Sequence, residues 1–304
     1  MRIVFAGTPE FAVPSLQALV AAGHDVVGVI TRADAPLGRK RVLTPSPVAA
    51  AADELGIPVL KANRLDAAAT EWVAGFTPEL GVIVAYGGLV RTPLLETPVH
   101  GWINLHFSAL PQWRGAAPVQ RALAAGEQRL GVTVFRLVEA LDAGDVLTRD
   151  AREVPEGTTA GAALTDLASF GTAALVDAVA LLAKNAEAGE PQEGEASYAH
   201  KLSRDDGRLD LSRPTSEVLA TWAGMTPEPG AFVLHDEAPL KLHVVRRAEA
   251  LPGAVAGQVV LADGEAVVQL VDGALVLERV QPAGKPAMDG AAWLRGRDGE
   301  AVVS

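Results

Sequence analysis

The chain has 304 residues, 49% of them hydrophobic and 21% charged, with a formal net charge of −11. At roughly 100–200 residues per domain, that length predicts two domains, each with a core of its own. The absence of cysteine excludes disulfides, thiolate metal sites and a cysteine nucleophile. The acidic balance argues against broad, non-specific nucleic-acid binding and leaves room for a local basic patch.

The six histidines, His24, His100, His106, His200, His235 and His243, show no metal-ligand spacing, so no metal is expected. No apolar run reaches the ~18–20 residues of a membrane helix, and the N-terminus lacks a secretory pattern. A cytoplasmic location is therefore expected.

Along the chain, short β-branched runs alternate with helical stretches, the pattern of an α/β fold with a mostly parallel sheet, Rossmann-like with helices on both faces. Strands are predicted at 3–5, 25–30, 59–60, 81–85, 102–105 and 132–135. Helices are predicted at 11–22, 47–55, 67–74, 118–125 and, long and Ala-rich, 159–182. Residues 185–204, polar, acidic and bearing Gly and Pro, read as a linker after a first domain of 1–184. From 205 to 304 short alternating segments with Asp-Gly turns predict a small antiparallel β-barrel, OB-like and open, with five strands.

Phe5-Ala6-Gly7-Thr8-Pro9 stands where a dinucleotide fold would carry three glycines and has one. The second strand is followed by Thr31-Arg32 and no acid, so an NAD-dependent reading loses both of its specific supports.

The informative stretch is Ile103-Asn104-Leu105-His106. Positions two apart on a strand share a face, so Asn104 and His106 emerge together at a strand's carboxyl end, where open α/β sheets bind ligands. Leu141-Asp142-Ala143-Gly144 then places a carboxylate in a turn after a later strand. Either residue alone would more often be a satisfied structural group; the combination points to chemistry. An amide and an imidazolium suit an oxygen that gains charge in a tetrahedral intermediate, and a carboxylate would hold the histidine protonated or take a proton from an attacking amine. The trio fits acyl transfer directly from donor to acceptor. A hydrolase built on Ser108, His106 and Asp142 is the competing enzyme reading, weakened by the absence of a G-x-S-x-G elbow.

These residues resemble the methionyl-tRNA formyltransferase family. The likeness is carried by residues 5–11, Ser46-Pro47-Val48, Val84-Ala85-Tyr86-Gly87 and Ile103-Asn104-Leu105-His106. Trp113-Arg114-Gly115-Ala116-Ala117-Pro118, Leu141-Asp142-Ala143-Gly144-Asp145, Tyr198-Ala199-His200-Lys201-Leu202 and Gln281-Pro282-Ala283-Gly284-Lys285 extend it nearly end to end. The resemblance implies that Asn104, His106 and Asp142 are catalytic, that 10-formyltetrahydrofolate is the formyl donor, and that the acceptor is the methionine amine of charged initiator tRNA. Ser108, Ala109, Leu110 and Pro111 match its folate-contacting segment, with Ala109 in place of a leucine, and Tyr86 and Gly87 fall near the expected pteridine.

Residues 31–44 carry Arg32, Arg39, Lys40 and Arg41 against Asp34 alone and read as a long, flexible basic loop. The resemblance sets it against the acceptor stem, with Arg39, Lys40 and Arg41 as contacts. Lys241, Arg246 and Arg247 form a second basic segment, for which the resemblance also implies tRNA binding by the C-terminal domain. A solvated charged surface accounts for either segment nearly as well. A monomer is expected. Two other readings stay open: a formyltransferase for an amino sugar nucleotide, and a folate- or tRNA-binding module without turnover.

Overall fold

The computed structural model describes residues 1–38 and 40–304, so the expectation for Arg39 lies outside the described residues. The described residues pack as two compact units. The first comprises residues 1–118, 130–152 and 164–199; the second comprises 119–129, 153–163 and 200–304.

The first unit is built on seven strands: β1 (Arg2–Gly7), β2 (Asp25–Thr31), β3 (Val59–Lys61), β4 (Leu80–Val84), β5 (Trp102–His106), β6 (Arg129–Arg136) and β7 (Val146–Glu153). Their order across the sheet is β7-β6-β5-β4-β1-β2-β3. β1 runs parallel to β2 and β4, β2 to β3, and β4 to β5. β5 and β6 are antiparallel. The chain therefore steps outward from β1 to β3 and returns on the other side of β1 as β4. Such a reversal opens a crevice at the strands' carboxyl ends. There Gly7 pairs with Val84, and the Thr8 hydroxyl donates to the Tyr86 carbonyl at 3.0 Å.

The helices that alternate with these strands along the chain are α1 (Val13–Ala21), α2 (Pro47–Glu54), α3 (Ala67–Gly75), α4 (Pro118–Ala124), which falls almost wholly in the second unit, and α5 (Ala160–Lys184), whose first turn does. Ser46 starts α2 by accepting the Ala49 N–H at 3.0 Å, with Pro47 behind it at the position where its missing N–H costs nothing. On one sheet face Val4, Ala6, Ile30, Ile83 and Trp102 pack with Val73 of α3 and with Tyr86, Val90 and Leu94.

The structure adds to the sequence reading at three places. β7 carries Arg149, Asp150, Arg152 and Glu153 at its exposed end, which hid its strand character. The basic stretch holds a hairpin, Ala35–Leu37 against Val42–Thr44, in place of a structureless loop. α5 is 25 residues long and apolar enough, by length and composition, to cross a membrane; isolated Asp, Thr and Ser residues mask this in the sequence. Its Leu167, Leu175, Val179 and Leu182 are buried. A Cβ on Gly171 would meet Leu105 and Val132 at 3.2–3.5 Å, so this helix lies directly on β5 and β6.

The second unit contains α6 (Thr215–Gly224), α7 (Gly290–Arg295) and the strands β8 (Phe232–His235), β9 (Ala238–Ala248), β10 (Gln258–Ala262), β11 (Glu265–Gln269), β12 (Ala274–Pro282) and β13 (Glu300–Val302). They pair in the order β8-β9-β12-β11-β10-β13, and Met288–Asp289 adds to β12. The sheet is antiparallel and curled, with more strands than the five expected. Leu234 of β8 exchanges two backbone hydrogen bonds with Ser304, at 2.7 and 2.9 Å, which links the sheet's two edges. Its core gathers Leu219, Trp222, Leu240, Leu277, Trp293 and Leu294.

Candidate active site

Asn104 and His106 sit at the end of β5, opposite Phe135 and Thr133 of β6. His106 is buried, with the Phe135 ring edge-on at 6.3 Å. Asp142, also buried, lies in the turn after β6 with its Oδ2 4.0 Å from His106 Nδ1. The structure thus brings the histidine and the carboxylate together, and Asn104 shares the histidine's face of the strand. Asn104 is only partly buried, and its side-chain amide has no hydrogen bond among the described residues.

The run 113–115 aligns both groups through its backbone. The Trp113 carbonyl accepts from His106 Nε2 at 2.9 Å, and the Gly115 N–H donates to Asp142 Oδ2 at 2.7 Å. This run is itself held by Ser197, whose hydroxyl accepts from the Trp113 N–H at 2.8 Å, and by pairing of Arg114–Gly115 with Tyr198–Ala199. Trp113 and Asp142 both take left-handed backbone angles, φ 61° and 47°. A Cβ at Gly144 would lie 1.8 Å from the Arg136 carbonyl, so the acidic turn closes on β6 only with glycine there.

Burial lowers the His106 pKa, and this outweighs the opposing pull of Asp142 and the Trp113 carbonyl. Asp142 acts in the direction expected of it, favouring the protonated histidine, against this burial. Neutral His106 must carry its proton on Nε2 to donate to Trp113, which leaves the Nδ1 lone pair on the side of Asp142.

Ser108 donates its hydroxyl to the Gln112 carbonyl at 2.6 Å, and its own carbonyl accepts from Thr133 Oγ1 at 2.7 Å. With His106 bound to Trp113, a Ser-His relay is not formed. Leu110 and Pro111 are buried while Ala109 is exposed. Tyr86 is buried, its hydroxyl donates to the Ala62 carbonyl at 2.6 Å, and burial raises its pKa. The exposed Gly87 carbonyl accepts from Arg32. Ser108 and Tyr86 are thus buried and hydrogen-bonded, and Gly87 and Ala109 are exposed.

Lys40 and Arg41 are exposed at the hairpin tip. In the second unit Lys241 is exposed on β9, whereas Arg246 pairs with Glu265 and Glu278 and Arg247 with Glu156. Gln281 braces the turn that follows it by donating to the Lys285 carbonyl at 2.9 Å. Among the described residues no three His, Asp or Glu side chains gather as a metal site requires.

Sequence reasoning did not single out Gln192, whose amide donates to the carbonyls of Asp142 and Gly144 at 2.8 and 2.9 Å. No signal in its polar surroundings marks it. Trp113 and Gly115 stood within a recognisable run, but their part is played by backbone atoms that residue type does not reveal.

An open α/β sheet with a polar trio at its carboxyl edge, followed by an antiparallel barrel, is the architecture of a group-transfer enzyme. The formyl transferase family matches residues 1–179 and the formyl transferase C-terminal domain residues 201–298, and the chain belongs to this family. Within it, the chain is 54% identical to the methionyl-tRNA formyltransferase of Leifsonia xyli subsp. xyli and 52% identical to that of Clavibacter sepedonicus, in each case over 100% of both chains. The N-formyltransferase of Helicobacter canadensis, solved with folinic acid and dTDP-3-aminofucose, shares the fold with a TM-score of 0.71 at 16% identity, over 93% of this chain and 99% of that one.

Proposed function

We propose that this protein transfers the formyl group of 10-formyltetrahydrofolate to the α-amine of methionine on charged initiator tRNA. The observation that carries this reading is the full-length identity of 54% to a methionyl-tRNA formyltransferase. The buried His106–Asp142 pair, with Asn104 on the histidine's face of β5 and its amide without a hydrogen bond among the described residues, supports the chemistry. The neutral amine attacks the formyl carbon, forming a C–N bond and placing negative charge on the formyl oxygen. Asn104 donates to that oxygen. The amine's proton has two acceptors 4.0 Å apart, His106 Nδ1 and Asp142 Oδ2. Once protonated at Nδ1, His106 is an imidazolium stabilised by Asp142, and it returns the proton to N10 of the folate as the C–N10 bond breaks.

The donor's pteridine lies against the 86–87 and 108–111 segments, and the acceptor stem against the exposed Lys40 and Arg41, with Arg39 as a further contact. Lys241 adds a contact on the C-terminal barrel, and Arg246 and Arg247 join it only by exchanging their carboxylate partners for phosphate. Domain limits of 1–184 and 205–304, action as a monomer and a cytoplasmic location complete the reading.

The amino sugar alternative shares the trio, and the fold likeness to the Helicobacter canadensis enzyme keeps it relevant. The deciding experiment offers 10-formyltetrahydrofolate with either charged initiator tRNA or a nucleotide-linked amino sugar. Formylmethionyl-tRNA as the product is expected; formylation of the sugar alone, or of neither, overturns the proposal.

A further inference from the structure

The Asp142 turn needs support beyond its own residues. Asp142 holds φ 47°, a left-handed conformation that an L-residue keeps only where the surroundings fix it. On the side-chain side the turn is held by the Gly115 N–H on the carboxylate. On the backbone side, the carbonyls of Asp142 and Gly144 both accept from one group, the Gln192 amide, at 2.8 and 2.9 Å. The Gln192 carbonyl in turn accepts from Arg114 Nε and Nη2 at 3.2 and 2.6 Å. Arg114 lies between Trp113 and Gly115, the residues whose backbone aligns His106 and Asp142. One side chain therefore joins the two segments that set the distance between imidazole and carboxylate.

We infer that Gln192 is a positioning residue for the reaction: it clamps the Asp142 turn to the Arg114 segment and so fixes the carboxylate relative to His106. The inference rests on the catalytic reading of His106 and Asp142 given above. Only a side-chain amide offers two N–H groups and one acceptor at this reach. Glutamate keeps the acceptor for Arg114 but sets a carboxylate against two carbonyl oxygens; leucine has nearly the same volume and none of the bonds.

The test compares Gln192→Leu and Gln192→Glu with the parent in steady-state formylation, with KM measured separately for folate and for charged tRNA. The His106 pKa is read from its ring-nitrogen NMR signals in each protein. A displacement of the reacting groups by about 1 Å can cost on the order of 10²-fold, so kcat is expected to fall about 10–100-fold in both variants with each KM within about twofold. The His106 pKa is expected to fall further, because a carboxylate that drifts away supports the imidazolium less. Retention of kcat by either variant, a fall in kcat matched by loss of folded protein in near-ultraviolet circular dichroism, or an unmoved His106 pKa overturns the inference. An inactive parent removes the reaction assignment instead, and the His106 pKa then decides the positioning role by itself.

Discussion

The paired polar groups His106 and Asp142 and the cations along β9 are held in opposite ways. His106 and Asp142 are buried and meet single backbone partners, Trp113 O and Gly115 N, at 2.9 and 2.7 Å. Arg246 and Arg247 lie on the surface and meet flexible carboxylates. A buried group anchored to backbone has one geometry and leaves its remaining atoms free for chemistry. A surface ion pair is one of several arrangements, is screened by salt, and gives way to a competing phosphate. The comparison teaches that positional accuracy in this protein resides at the sheet edge, while the barrel offers adjustable charge.

The sharpest way to break this contrast is to remove the polar side chains of the sheet edge. His106→Ala, and separately Asn104→Ala, are expected to lower kcat by about 10²–10³-fold, with tRNA affinity in filter binding nearly unchanged; full turnover in either would leave the sheet edge without its catalytic role. Next is Gly144→Ala, whose Cβ would collide with the Arg136 carbonyl. The displaced turn is expected to destabilise the protein by about 1–3 kcal/mol in urea unfolding and to reduce kcat as well.

Acid provides a gentler probe. The His106 pKa lies below its unfolded value of about 6.5, so on acidification the unfolded chain takes up this proton before the folded one does. The contribution is in place above about pH 6.5 and is lost as pH falls, at no more than about 1.4 kcal/mol per unit, until the folded pKa is reached. Urea midpoints between neutral and mildly acidic pH should therefore decline less in His106→Gln than in the parent. The smallest effect belongs to the barrel. Lys241→Ala should weaken tRNA binding a few-fold and reduce the salt slope by about one, whereas Arg246→Ala, already tied to Glu265 and Glu278, should change both less. Equal losses from the two would show that the ion pairs open freely.

Much of this was legible in advance because it follows from periodicity. The two-residue spacing of Asn104 and His106 placed them on one strand face, and the strands of the parallel sheet are near-continuous apolar runs. What escaped reading was carried by backbone or by distance. The His106–Trp113 and Asp142–Gly115 bonds use main-chain atoms. Gln192 lies 50 residues from Asp142 along the chain. The protonation state of His106 depends on how thoroughly it is enclosed, which neighbouring residue types do not announce. Likewise the two register shifts in β9, which leave Val244 exposed and bring Arg246 and Arg247 together outside, were invisible to a simple alternation.

The long apolar helix α5 follows every strand of the sheet it covers, β1 through β7. During synthesis it therefore leaves the ribosome after its receiving surface has been made, and its greasy face need not wait uncovered. A circular permutant that begins with residues 160–184 would reverse that order and expose this apolar helix before any strand that buries it has been made.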